Sequence, residues 1–342
     1  MFLTRLLRPK RTAGEVNSIL VVSTTALGDT LWATPAITNI RASFPHAKIA
    51  VLTSSIGMQV LAHRPEIDQL IHLREPLSWR FFSLVRALRR GNFDVALLLH
   101  SSQRLTLPLL TLSGIPKIIG TSGKNKGLDD LLTDPLPPQR EHEIERRARI
   151  TQTLGIKTDV ETLSYFVQPQ ERAEAEQILG EKKRPRIAFH LGARDEFRRF
   201  PKRSFLALAA LLREQYELFL TGTAQEEPLL QEIASQLPEA KILNQPFRTF
   251  AALLEQMDLI VSTDTGPLHL ACALNRPVVA LFASSDPLLF GPHKAPKAKV
   301  IEKPATCTPC IMRRCKEPFC YLQISPREVY QTILSFGIPF PR

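Results

Sequence analysis

The chain has 342 residues, 44 Lys and Arg against 33 Asp and Glu, a net charge of +11 and 44% hydrophobic residues. That length exceeds one ordinary core and predicts two domains of roughly 150 residues each, and the composition excludes disordered and fibrous classes. No apolar run reaches the roughly 18 to 20 residues that span a bilayer, and the basic start, Met1 to Arg11, lacks the apolar region and cleavage site of a secretory signal, so a cytoplasmic location is expected. The basic excess leans toward the first half: residues 1–165 hold 21 Lys and Arg against 14 acids (+7), the remainder 23 against 19 (+4). Such a surface suits an anionic partner, whether nucleic acid, phospholipid headgroups or a phosphorylated glycolipid, or simply reflects a basic proteome. With aromatics at 7% and no stacking motif, nucleic acid is not expected.

Apolar runs and helical periodicity alternate along the chain. Strands are predicted over 18–23, 47–53, 68–73 and 94–100, with helices over 31–43 and 77–90. Residues 120–140 mix glycines, prolines, lysines and aspartates without period and read as a long loop. A charged helix follows over 142–154. The polar, proline-flanked stretch 158–185, with one helix over 171–179, reads as the linker, and the domains are drawn at 1–165 and 166–342. A second series starts with strands over 186–190, 217–221 and 241–243, and helices over 201–215, 226–237 and 247–256. A buried strand from Leu259 then runs into a polar turn, a helix and another buried strand ending at Phe282. A last helix, 326–336, suits either domain. This alternation predicts an α/β protein of two doubly wound parallel sheets facing across a cleft.

Chemistry is expected in the turns after the strands. Asp264, Thr265 and Gly266 open a helix whose dipole and N–H groups suit an anion, with His269 one turn on, either aimed at phosphates or capping the turn. A phosphorylated ligand, nucleotide sugars prominent among them, follows. Gly28 and Asp29 occupy the first strand-to-helix turn, where no Gly-x-Gly-x-x-Gly stands, which argues against a dinucleotide dehydrogenase. Asp29 is either a general base or a helix N-cap. After His190 come Gly192 and three arginines, Arg194, Arg198 and Arg199, suited to a pyrophosphate or to plain solvation. Beyond Gly222, Glu226 is either a ribose ligand or the capping-box partner of Thr223. Cys307, Cys310, Cys315 and Cys320 form a compact quartet whose readings are a structural zinc or iron–sulfur site, reduced thiols, or redox bridges.

Taken together, Gly28-Asp-Thr-Leu-Trp-Ala-Thr-Pro-Ala36, His190-Leu-Gly-Ala with Arg-Arg-Phe-Pro201, Thr221-Gly-Thr-x-x-Glu226 and Ser262-Thr-Asp-Thr-Gly-Pro-Leu-His-Leu-Ala271 resemble glycosyltransferase family 9, the heptosyltransferases of the lipopolysaccharide inner core. The resemblance spans essentially the whole chain and implies a GT-B fold of two Rossmann-like domains. It implies inverting, metal-independent transfer from ADP-L-glycero-β-D-manno-heptose to Kdo-lipid A or a heptosylated core at the cytoplasmic face of the inner membrane. It implies Asp29 as general base, Arg198 on the phosphates, Glu226 on the ribose, and Asp264, Thr265 and Gly266 as the phosphate turn beside His269. No cofactor is implied. Arg198 and Phe200 depart from the family's usual lysine and tryptophan, though arginine keeps the charge. No Asp-x-Asp is present, in keeping with a metal-free site. The alternatives are a family-9 transferase with another donor or acceptor, and a non-catalytic binder of an anionic glycolipid or nucleotide.

Overall fold

The computed structural model describes residues 16–74, 76, 80–193, 195–283, 285–307, 310, 315 and 319–339; the expectations placed on Arg194 and on the basic start up to residue 15 lie outside them. The chain divides into two compact units, Met1–Leu163 and Ser164–Arg342.

The first unit is built on β1 (Ser18–Ser23), β2 (Lys48–Thr53), β3 (Gln69–His72), β4 (Val95–His100), β5 (Lys117–Thr121) and β6 (Asp134–Leu136). They join in one parallel sheet in the order β3-β2-β1-β4-β5-β6. The second unit repeats the plan with β7 (Arg186–His190), β8 (Glu217–Thr221), β9 (Lys241–Leu243), β10 (Leu259–Thr263), β11 (Val278–Phe282) and β12 (Ala298–Glu302), ordered β12-β11-β10-β7-β8-β9 and again parallel. Numbered from its own first strand, each sheet runs 3-2-1-4-5-6. This is the doubly wound Rossmann order, whose winding reverses between the first and fourth strands. The reversal falls between β1 and β4 in one unit and between β7 and β10 in the other.

The central strands form because helices cover both faces of a parallel sheet, so a continuous apolar run pays no exposure penalty. β1, β7, β10 and β11 are buried along their full length. Leu20, Val22, Ala50, Leu52 and Leu98 belong to a core cluster of the first unit, and Phe189, Phe205, Leu208, Leu218 and Leu281 to one of the second. Tyr321, fully buried, donates from its hydroxyl to the Leu281 carbonyl at 3.4 Å. The final helix, Pro326–Leu334, packs on the helix Lys202–Leu212 and on β11, and so belongs to the second unit.

Two expectations are corrected. The single helix expected over 31–43 is two, Leu27–Leu31 and Thr34–Ser43, because Pro35 stands in the first turn of the second and has no N–H to continue the first. The long loop expected over 120–140 is bounded by strands: β5 runs through Thr121, and β6 pairs with it through Ile119 and Asp134, Gly120 and Pro135, and Thr121 and Leu136. Proline is tolerated in β6 because the strand lies at the sheet edge. Among the described residues, no helix is long and apolar enough to cross a membrane.

Candidate active site

In the first unit, the chain leaves β1 and enters the helix Leu27–Leu31, whose N-cap is Ala26, not Asp29. Asp29 instead stands in the first turn, where the positive end of the helix dipole favours its carboxylate. Its side chain is 21% exposed, so a substrate hydroxyl can reach it. Two side chains meet its Oδ1. His100, the last residue of β4, places Nε2 3.6 Å away, and Arg147 places Nη2 3.4 Å away. β1 and β4 are the two strands at the winding reversal, so topology brings Asp29 and His100 together across 71 residues of sequence.

Arg147 comes from the helix Glu143–Gln152, which was expected only as a charged helix. Three of its charges are not solvated. Glu143, Arg146 and Arg147 are buried, Arg147 completely. Glu143 Oε2 accepts from Arg146 Nε and Nη2 at 3.0 and 2.7 Å and from Arg147 Nη1 at 2.6 Å; Lys124 Nζ reaches its Oε1 at 3.1 Å. Burial opposes the Glu143 charge, yet the guanidiniums of Arg147 and Arg146, with Lys124, outweigh it and hold the carboxyl well below the usual carboxylate range. For His100, burial dominates and the Asp29 charge opposes it; Arg147 and Arg146 add to burial, and the imidazole falls to about 4. His100 is therefore neutral at physiological pH. The missed signal was spacing: an acid and two arginines at i, i+3 and i+4 share one helix face. His142 caps that helix, its Nδ1 accepting from the Ile144 N–H at 3.1 Å, and its ring meets Trp32 edge-on at 6.2 Å.

The second unit carries a cluster at the equivalent strands. β7 ends at His190 and β10 leads into Asp264 and the helix Gly266–Ala273, with Thr265 as N-cap. Arg198 Nη1 reaches Asp264 Oδ2 at 3.3 Å while its side chain stays 37% exposed, and His269 Nε2 lies 4.0 Å from Asp264 Oδ1. Burial raises the Asp264 carboxyl, against the lowering effect of Ser285 and Arg198. An anionic Asp264 repels a phosphate; it is placed to hold Arg198, whose cation attracts one. Of the other arginines, Arg199 donates to the Ala193 carbonyl at 3.1 Å.

Glu226 is buried, and its Oε2 accepts from the Thr223 N–H at 2.8 Å and the Thr223 hydroxyl at 3.0 Å, the capping-box geometry. A Cβ on Gly192 would overlap the Glu226 carboxylate, and one on Gly222 would press on Leu230 and Glu226. The two glycines thus let the acid lie against the turn after β7. Beside it, the Thr221 hydroxyl donates to the Phe189 carbonyl at 3.2 Å, so it accepts from His190 at 3.1 Å and assigns the proton to Nδ1. Burial lowers His190 to about 4 despite the opposing Glu226 charge.

Cys307, Cys310, Cys315 and Cys320 stand in a segment whose residues 308–309, 311–314 and 316–318 lie outside the described ones. Among the described residues, no group of three or more His, Cys, Asp or Glu is gathered to hold a metal.

Two parallel sheets of Rossmann order, each with polar turns at its winding reversal, make up a GT-B fold, and solved structures of that fold superpose on the chain. The structure described as E. coli ADP-heptose lps heptosyltransferase II does so with a TM-score of 0.77 and 23% identity, over 93% of this chain and 98% of that one. Residues 81–320 match glycosyltransferase family 9 (heptosyltransferase), and the chain belongs to that family. Lipopolysaccharide heptosyltransferase 3 of Escherichia coli is 26% identical over 282 residues, 78% of this chain and 83% of that protein. Lipopolysaccharide heptosyltransferase 2 of E. coli K12 is 29% identical over 314 residues, 83% and 87% of the two lengths.

Proposed function

We propose that the chain transfers heptose from ADP-L-glycero-β-D-manno-heptose to the lipopolysaccharide inner core, with inversion and without a metal in the chemical step. The observation that carries this reading is the carboxylate of Asp29 in the first turn after β1, partly exposed beside neutral His100. Asp29 takes the proton of the acceptor hydroxyl as that oxygen attacks the anomeric carbon. The nucleotide departs from the opposite face through an oxocarbenium-like state. In the second unit, Arg198, oriented by Asp264, neutralises the departing diphosphate together with the N-terminus of the helix Gly266–Ala273 and the turn of Thr265 and Gly266. His269, buried one helical turn on, faces Asp264. Glu226 serves as the ribose acceptor through Oε1, its Oε2 being held by Thr223.

The acceptor is a phosphorylated, acidic glycolipid, and the first unit is basic where it needs to be. Arg104, Lys124 and Lys126 line, with Ser101 and Gln103, a hollow beside the ends of β4 and β5. The helix Phe81–Gly91 supports contact with the cytoplasmic face of the inner membrane. It buries Val85 and Leu88 and turns Phe82, Arg86, Arg89 and Arg90 outward on one face, with Phe82 79% exposed. An exposed aromatic among arginines suits the boundary of an anionic bilayer.

The deciding experiment is transfer by Asp29→Ala with ADP-heptose and truncated lipid A–Kdo acceptors. ADP binding should persist while transfer falls at least about 100-fold, the lower bound of general-base effects. Near-normal turnover would remove the assignment.

A further inference from the structure

Arg147 carries a charge into a site where solvent does not reach it, and nothing in the proposed chemistry uses that charge directly. It is fully buried, and its guanidinium spans two elements. On one side Nη1 donates to the Glu143 carbonyl at 2.8 Å and to Glu143 Oε2 at 2.6 Å, within its own helix. On the other, Nη2 donates to the Asp29 backbone carbonyl and to Asp29 Oδ1, both at 3.4 Å. Its Cζ lies 5.5 Å from the centre of the Trp32 ring, which limits the plane the guanidinium can take. Because His100 and Arg147 both address Oδ1, Oδ2 is the oxygen left to meet a hydroxyl.

Three cations surround two carboxylates. Arg146 and Arg147 face Glu143 and Asp29, and Lys124 sits at the rim on Glu143 Oε1. Glu143 is thus shared by two guanidiniums, which leaves Arg147 with charge to direct at Asp29. Lysine would not serve equally, since one ammonium cannot hold a planar fork across both elements.

We infer that Arg147 is a positioning residue that fixes the rotamer of Asp29 and so aims its remaining oxygen, Oδ2, at the acceptor hydroxyl. This rests on the reading of Asp29 as the base. The groups facing Asp29 are Arg147, with Glu143 and Arg146 behind it on the same helix, and His100 from β4.

The test is kcat and donor KM, measured separately, in Arg147→Met and Arg147→Lys. In Arg147→Met, kcat should fall at least about tenfold at neutral pH with donor KM little changed, the signature of a misaimed base. Arg147→Lys, which keeps the charge but not the fork, should recover only part of kcat. Parental kcat in Arg147→Met, a loss confined to donor KM, or parental kcat in Arg147→Lys would overturn the inference. Should Arg147→Met fail to fold, the Lys variant alone decides. If Asp29→Ala turns over normally, the base assignment falls whatever Arg147 does; if it is inactive while the Arg147 variants behave as parent, only this inference falls.

Discussion

At the scale of single residues, the two histidines that end β4 and β7 govern how the protein answers to acid. Both are buried neutral, with folded values near 4 against 6.5 in an exposed chain. A lowered histidine contributes stability that is complete above 6.5 and is lost as pH falls from there toward 4, because the unfolded chain takes up protons that the folded one refuses. The melting temperature should therefore drop as pH is lowered across that window. His190→Asn, close in shape and without the titration, should flatten part of the drop. Differential scanning calorimetry at pH 7, 6, 5 and 4.5 checks it, and an identical pH slope in the variant would count against the assignment. Asp264, raised by burial, responds in the opposite sense, so the variant comparison is more informative than the parent curve alone. Residue identity was the most legible level where glycine or a strand end marked a turn, as at Asp29 and Asp264. It was least legible for Glu143, Arg146 and Arg147. Composition places charges in solvent, and only mutual pairing allows all three to be buried.

At the scale of elements, legibility followed burial. β1 and β11 were readable because both faces are covered and every position is apolar or small, and β7 because an apolar Ile187-Ala-Phe189 lies between its polar ends. β12 escaped notice because it is an edge strand with only Ile301 buried, and β6 because three residues including Pro135 carry no alternation. The helix Thr106–Leu112 was missed for a related reason, since Pro108 falls in its first turn, where it is tolerated but resembles a break. The helix Phe81–Gly91 shows the reverse case. Its periodicity was plain, and its outward face only makes sense once Val85 and Leu88 are known to point inward. Its exposed Phe82 and arginines give a prediction at this scale. The protein should float with vesicles containing anionic phospholipid and not with neutral phosphatidylcholine. Arg86→Glu combined with Arg90→Glu should abolish flotation, and Phe82→Ser should weaken it, with the melting temperature unchanged in each. Flotation of the doubly substituted protein equal to the parent would remove this face as the contact.

At the scale of the whole molecule, one topology is used twice for different work. The Rossmann order sets two loops side by side at the reversal of each sheet. In the first unit those loops hold a carboxylate beside a neutral imidazole, and in the second an exposed guanidinium braced by a buried aspartate. The division of labour predicts that the units can be injured separately. Arg198→Ala should weaken ADP binding by about tenfold or more, the scale of one charge-assisted hydrogen bond, in calorimetric titration. Asp29→Ala should leave that affinity unchanged. Equal weakening in both would mean that the nucleotide and the base are not held by different units. The repeated architecture was evident from strand and helix alternation, whereas which half does the chemistry rested on motif resemblance, because topology alone treats the halves alike.

The link between Asp29 and Arg147 also bears on how the protein comes into being. Their separation is 118 residues, and all six strands of the first sheet precede the helix that carries Arg147. Chain emerging N-terminus first can therefore complete a sheet, and bury Asp29's own helix against it, before any counter-charge for the carboxylate exists. Contacts of such long range form late in folding. The nascent first half would pass through a stage with native strand order and no organised base. Competence then arrives in one event, when the helix Glu143–Gln152 docks and Arg147 loses its water.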